Sequence, residues 1–432
     1  MRIYIFHTSR YIKESVASQR AKYWANGFER EFEQVILVRH GLIPGDDSSK
    51  EFFLHPSKSK KAKINTKGNI TEICLPQHVR FSYKTQKGIF ENWGGLATSI
   101  YSFIFRTQLY NNLNKSFKDY FPNEYFPKAG DVVISSGPPS SIHEIGRYLQ
   151  KKIGVKWIMD YRDPWTFKQK SNTELLNFQK RFRDFWMRPV ENKFLAFADK
   201  ISTASLQIKE DLPLAIQKKT VVIPNGSDDL EIDYSKINSF PEKFSIIFSG
   251  HIYAAQLDDE TFFIAFKNFV ESLKPEDSKK VELHFLGDGE NPLLKKVISK
   301  YQLSKFTKLS GWISLKEAIS EMYNASMFLQ LQHKGFPLVT NTKQFNYVAL
   351  QKPILLSNGN SIELKRFLKK YKSAIICHNH DEVVKALKDK FNDLILGRSL
   401  KIPIEPEELR KISRSCHTEE MVKVIKSVAQ SG

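Results

Sequence analysis

Residues 131–165, DVVISSGPPSSIHEIGRYLQKKIGVKWIMDYRDPW, constrain the fold more than any other stretch of the chain. Val132 to Ser135 is an apolar run of strand length, stopped at Gly137-Pro138-Pro139 because proline supplies no ladder donor. Ser141 with Glu144 three residues on reads as a capping box. Ile142, Ile145, Leu149 and Ile153 then recur at helical spacing, Gly154 ends the helix, and Val155 to Met159 reads as a second buried strand. This is a βαβ unit, so the sheet is parallel and its strand-end loops share one edge. Ligands bind at that edge in open α/β sheets. Two loops open there, Gly137–Ser140 and Asp160–Trp165. The second holds two carboxylates and a guanidinium within four residues, a cluster that serves a ligand or an Arg–Asp pair tying down the loop.

A chain of 432 residues exceeds one ordinary core and fits two domains. No run of eighteen apolar residues occurs, and Met1–Phe6 passes straight into a strand, so a cytosolic protein is expected. Cys74, Cys377 and Cys416 are too widely spaced for a disulfide framework or a metal knuckle, and no metal site is expected. The net charge of +19 is uneven: residues 1–210 hold 34 basic against 20 acidic residues, the remainder 32 against 27. Residues 50–90 carry nine basic residues with only Glu51 and Glu72 acidic. Such a field attracts phosphate on an anionic membrane, or is a solvated lysine-rich loop. No nucleic-acid partner is expected, since no RNA- or DNA-binding module is recognisable.

Arg2 to Thr8 reads as the first strand, Ser9–Ile12 as its crevice loop, and a helix follows through Val16, Arg20, Trp24 and Phe28. Arg20 projects from that helix either as a phosphate contact or into a surface salt bridge. Val35 to Val38 is a second strand, and residues 41–90 read as a polar, irregular insertion. The aromatic-rich segment 89–126 forms either core or a bilayer-facing stripe. A long helix runs from Thr173 to about Phe197. Residues 227–243, polar and proline-bearing, read as a hinge between domains at 1–226 and 227–412, with 413–432 as a closing segment. Strands ending at Gly250 and Gly287 restart the alternation; those glycines either let amides approach a pyrophosphate or make simple turns.

Two linked pieces carry a resemblance: Gly137-Pro138-Pro139-Ser140-Ser141-Ile142-His143-Glu144-Ile145-Gly146 and Asp160-Tyr161-Arg162-Asp163-Pro164-Trp165. They resemble the GPPHSxHLIG and DxRDPW stretches of family 4-type glycosyltransferases of the GT-B fold, from bacterial glycan biosynthesis. Residues 342–355, TKQFNYVALQKPIL, are similar to that family's GKxFEYLAxGKPIL segment. The match keeps His143 and Lys343. It places Asn346 and Leu338 where the family has glutamates, His251 where it has an arginine, and no glycine pair in the first loop.

The resemblance implies an α/β fold of two doubly wound, Rossmann-like domains facing a cleft, the GT-B architecture. It also implies a retaining, metal-independent glycosyltransferase that moves sugar from a nucleotide-sugar donor to a glycan or lipid-linked acceptor. The nucleotide sugar is substrate, and no cofactor is expected. Asp163 and His143 would face the reacting groups. Gly250, His251, Gly287, Lys343 and Asn346 would hold the donor, and Arg20 and Arg162 would contact acceptor or phosphate. Asn346, Leu338 and His251 support an alternative, a degenerate GT-B protein acting as a non-catalytic scaffold partner. A nucleotide-sugar epimerase of the same fold is a third reading, without the acid and histidine clusters it would need.

Overall fold

The computed structural model describes residues 1–7, 16–40, 61–76, 113–138, 140–163, 174–331, 342–357 and 362–431. The Ser9–Ile12 loop, Pro164-Trp165, Leu338, the 89–112 part of the aromatic segment and most of the lysine-rich stretch lie outside these residues. The chain forms two compact units, one comprising 1–224 with 417–432 and the other 225–416.

The first unit is built on an eight-stranded sheet in the order β3-β4-β2-β1-β5-β6-β7-β8. Its strands are β1 (Arg2–His7), β2 (Gln34–His40), β3 (Lys63–Lys67), β4 (Ile70–Leu75), β5 (Val132–Gly137), β6 (Lys156–Tyr161), β7 (Lys200–Thr203) and β8 (Thr220–Val222). All neighbours pair in parallel except β3, which runs antiparallel to β4. A parallel sheet covered on both faces requires strands apolar on both sides, and Ile3, Tyr4, Ile5 and Phe6 are each fully buried. Burying one such side chain contributes about 1.5–3 kcal/mol.

Helix α1 (Val16–Phe28) lays Ala21, Trp24, Ala25 and Phe28 on one face of this sheet. The C-terminal helix Arg414–Gln430 packs Met421, Val422, Ile425 and Val428 into the same core. Gly27 permits that packing, because a Cβ there would meet the Thr418 methyl at 2.3 Å. On the opposite face, α2 (Leu113–Tyr120) buries Phe117 edge-on to Phe6 and against Phe121. The described aromatics of the 89–126 segment therefore include core residues: Phe117 is 1% exposed and Phe121 8%.

Two local expectations are corrected. Residues 63–75, read as part of an irregular insertion, form a hairpin that extends the sheet. The outer strand Lys63–Lys67 is exposed along its whole length, so no apolar period betrays it. Exposed lysines on an edge strand also discourage edge-to-edge pairing with other chains. Helix α3 (His143–Ile153) starts after a 3-10 turn with Ile142 at its cap position and no side-chain cap bond. Glu144 accepts from Asn114 Nδ2 at 2.8 Å, and the Ser141 side chain lies outside the described residues. The far end is as expected: Gly154 adopts φ 79° and its N–H bonds the Gln150 carbonyl.

The second unit holds a six-stranded parallel sheet in the order β11-β10-β9-β12-β13-β14. These are β9 (Phe244–Ser249), β10 (Val281–Leu286), β11 (Thr307–Ser310), β12 (Met327–Leu331), β13 (Ile354–Ser357) and β14 (Ala374–Cys377). Strand β9 alternates between two cores. Phe244, Ile246 and Phe248 face a phenylalanine-rich cluster with Phe262, Phe266 and Phe269, while Ile247 faces the other. Both units are thus Rossmann-like. Among the parallel strands of each the order reverses direction once, between β1 and β5 and between β9 and β12.

Candidate functional site

The parallel strands of the first unit end on one edge, and register sets a polar row across four of them. His7 of β1 pairs with Ser136 of β5, Ser136 with Asp160 of β6, and Asp160 with Ser202 of β7. Asp160 is fully buried and is the centre of the row. Its carboxylate accepts from Ser136 Oγ at 2.7 Å, Ser202 Oγ at 2.8 Å, Arg20 Nε at 3.2 Å and Arg20 Nη2 at 3.0 Å. Burial by itself would raise this carboxyl, but the Arg20 and Arg162 charges and the bonds from Arg20 and Ser136 hold it below its ordinary value.

Arg20 is therefore neither a phosphate contact nor a surface pair, which corrects the expectation for it. Its side chain is 3% exposed, its third arm donates to the Pro224 carbonyl at 3.0 Å, and its guanidinium lies over Trp24. Arg162 does not pair with Asp160 either. It reaches back to the other crevice loop, donating to the carbonyls of Gly137 at 3.0 Å and Pro138 at 3.3 Å. Asp163 stands at the exposed end of this edge, where desolvation by the surrounding protein pushes its carboxyl up, Arg162 opposing and Asp160 adding. Behind the loop, the Tyr161 hydroxyl donates to buried Glu191 from helix α4 (Glu174–Phe197).

His143 is also corrected. It is fully buried, with Nδ1 2.8 Å from Ser135 Oγ, which accepts the Trp157 indole N–H at 2.8 Å. Burial pushes its ring down to about 3, with Arg162 adding and Asp160 opposing. Gly146 makes room for this arrangement, since a Cβ there would lie 2.1 Å from the indole nitrogen. His143 is thus part of the packing beneath the loop.

On the second unit, Gly250 (φ 95°) follows β9 and Gly287 (φ 98°) follows β10, both in the left-handed region that favours glycine. They lie side by side: a Cβ on Gly287 would stand 3.7 Å from the Gly250 backbone. Their own amides serve the sheet end, Gly250 N donating to the Leu286 carbonyl and Gly287 N to that of Ser310. What these glycines offer a ligand is close approach, and not the N–H groups expected of them. Exposed His251 presents Nδ1 3.2 Å from the Asp288 carboxylate and stands edge-on to Tyr253. Asp288 also accepts from Ile252 N and Asn291 Nδ2, so it is fixed in place.

Lys343 opens helix Thr342–Ala349, which follows β12 across the switch point from β9. Its Nζ lies 4.0 Å from the centroid of Phe248, and burial pushes the ammonium down to about 7. Asn346, expected at a ribose, is 3% exposed and serves another purpose. Its Oδ1 accepts from Asp228 N and its Nδ2 donates to Asp228 Oδ2, each at 2.8 Å. Arg414 completes the knot, with Nε 2.6 Å from Asp228 Oδ1 and Nη2 donating to Thr342 Oγ1. The asparagine is an internal tie, and its assignment to the donor is corrected.

No protein-family model and no curated protein sequence matches the chain. Similarity is found at the level of structure. Sucrose-phosphate synthase from Thermosynechococcus elongatus aligns over 100% of both chains at TM-score 0.66 and 13% identity. An E. coli trehalose-6-phosphate structure bound with UDP-2-fluoro glucose aligns over 100% of both at TM-score 0.59 and 12% identity. A glycosyltransferase from Rickettsia africae aligns over 100% of this chain and 99% of its own at TM-score 0.58 and 11% identity. The fold is the GT-B fold of these enzymes.

Proposed function

We propose that this protein is a glycosyltransferase moving sugar from a nucleotide-sugar donor to a glycan or lipid-linked acceptor, with retention at the anomeric carbon, in surface polysaccharide biosynthesis. The observation that carries the reading is the strand-end geometry of the second unit. Two adjacent glycines leave the edge open to close approach, and Lys343 supplies a cation at the switch point. A leaving diphosphate is stabilised by fixed positive groups placed where its charge develops. Lys343 and His251 fill that role, and Asp288 holds the His251 ring. The neighbours whose titles name UDP sugars and sugar-phosphate synthases support the donor class. Asp163, with its raised carboxyl, orients an acceptor hydroxyl on the first unit.

The test is a melting-temperature screen with UDP, GDP and other nucleoside diphosphates, followed by consumption of the matching nucleotide sugar. A ligand at a hundred times its Kd stabilises by about 2.7 kcal/mol, which such a screen resolves. The reading is overturned if no nucleoside diphosphate at millimolar concentration moves the transition. A second reading, a non-catalytic GT-B partner in a glycan assembly complex, is favoured by Asn346 being committed to Asp228. It expects stabilisation by a nucleotide without turnover of any nucleotide sugar.

The lipid-linked acceptor suggests docking on an anionic bilayer. No described helix is long and apolar enough to cross a membrane. Lys61, Lys63 and Lys67 lie exposed at and beside the edge strand β3, and such charges near an anionic surface contribute about 1 kcal/mol each.

A further inference from the structure

One member of the polar row on the first unit is left over. Ser136, Ser202 and Arg20 all donate to Asp160, whereas His7 at the end of the row is 2% exposed and neither ring nitrogen has a hydrogen-bond partner among the described residues. Its position is specific. His7 ends β1 and pairs with Ser136 of β5, and β1 and β5 flank the point where the strand order reverses. The crevice outside the carboxyl ends of strands at such a point is where α/β sheets bind ligands. Burial pushes the ring down to about 3, with Arg39, Arg162 and Lys22 adding, so it is neutral at working pH. A neutral imidazole has one N–H donor and one acceptor nitrogen. Burying both unpaired is unfavourable, and an apolar residue would serve the fold better. The side chain therefore answers to something other than folding. A hydroxyl group, donor and acceptor at once, matches it.

We propose that His7 is a specificity-determining residue that binds a hydroxyl of the acceptor sugar through a ring nitrogen at the β1–β5 switch point. This rests on the glycosyltransferase reading, and it adds the residue that selects a hydroxyl-bearing acceptor on the first unit.

The experiment uses the full chain with 15N-labelled histidine side chains. The His7 signals are assigned as those missing from His7→Leu, or from His7→Gln should the leucine variant not fold. Methyl α-glucoside, glucose 6-phosphate and inorganic phosphate are titrated separately. The expected result is movement of the His7 ring-nitrogen signals with either sugar and none with phosphate alone. In turnover with the same sugars as acceptors, His7→Leu raises KM for the sugar by about tenfold or more. His7→Gln, which keeps a donor and an acceptor, stays close to wild type. His7→Leu also melts about 2–4 °C higher, as removal of an unpaired polar group requires. His7 signals indifferent to both sugars overturn the proposal, as does a response to phosphate alone or an unchanged KM in His7→Leu. Failure of the glycosyltransferase reading would appear separately, as no response to any nucleoside diphosphate, while the nitrogen signals still decide the case of His7.

Discussion

The two sheet edges are built from the same topology and use their charges differently. On the first unit the charged groups are mostly bound inward: Arg20 to Asp160 and the Pro224 carbonyl, Arg162 to the carbonyls of Gly137 and Pro138. On the second, glycines clear the edge, His251 is exposed on it, and Lys343 lies over an aromatic face with its ammonium weakened by burial. The first edge is a bonded frame around Asp160, while the second carries two glycines and a lysine whose ammonium is weakened by burial. Fold similarity alone does not separate these roles. The difference lies in how deeply each edge's polar groups are set and in what holds them.

The largest expected effect breaks the frame. Removing one member of a buried ion pair leaves the other charge uncompensated, so Arg20→Ala should lower unfolding free energy in urea by about 3–5 kcal/mol. A loss below about 1 kcal/mol would mean that Asp160 is reached by water and that the first edge is as open as the second. The sign of the pH effect follows from Asp160 being held low. Its contribution is present above the unfolded carboxyl value and is lost as pH falls through the lower folded value. Arg20→Ala should therefore flatten the acid limb of the stability curve.

A smaller effect sharpens the contrast at Lys343. Its folded value, about 7, lies below the unfolded 10.5, so this group makes stability rise with pH across that interval. A bound diphosphate favours the charged ammonium, and nucleotide affinity should fall as pH climbs above about 7. Lys343→Ala should weaken binding of the stabilising nucleoside diphosphate by about tenfold, roughly 1.4 kcal/mol, and remove that pH dependence. Lys352, buried and donating to the Asn238 carbonyl, is the contrasting lysine. Lys352→Ala should cost stability and leave nucleotide affinity as it was. Equal losses of affinity in the two variants, measured by calorimetry, would make Lys343 an ordinary surface charge.

The smallest effect concerns the lysine-bearing edge strand of the first unit. Its attraction to an anionic surface is screened over about 10 Å at 0.1 M salt and about half that at several hundred millimolar. Flotation with anionic vesicles should bring up the protein at low salt and release it at high salt. A protein that stays behind at low salt would show these lysines to be solvated charges that serve only the sheet edge.

Much of the architecture is legible in the sequence because its causes are local. The apolar runs ending at Gly250 and Gly287, the helical period of 142–153 and the Gly154 stop mark strands, helix and turn within a few residues of each other. Ser314 and Glu317, three residues apart, form a capping box, with Glu317 N donating to Ser314 Oγ and Ser314 N to the Glu317 carboxylate. Two Rossmann-like units, each on a mainly parallel sheet, follow from that alternation. Where the local signal is missing the reading failed: Lys63–Lys67 is a strand without a buried side, held only by its partner Ile70–Leu75.

What only the tertiary structure decided is the partner of each polar group. Arg20 meets Asp160 across 140 residues and Asn346 meets Asp228 across 118, whereas the Arg162 beside Asp160 in the sequence turns to backbone carbonyls. A side chain's type states what it can bond, and strand order and register determine what stands within 3 Å of it. The same register brings His7 alongside Ser136, with no hydrogen bond to its ring from any described residue, though a strand-ending histidine in the sequence looks like any other. Local chemistry determined the elements of this protein, and long-range packing decided which of its charged groups were bound inside and by what.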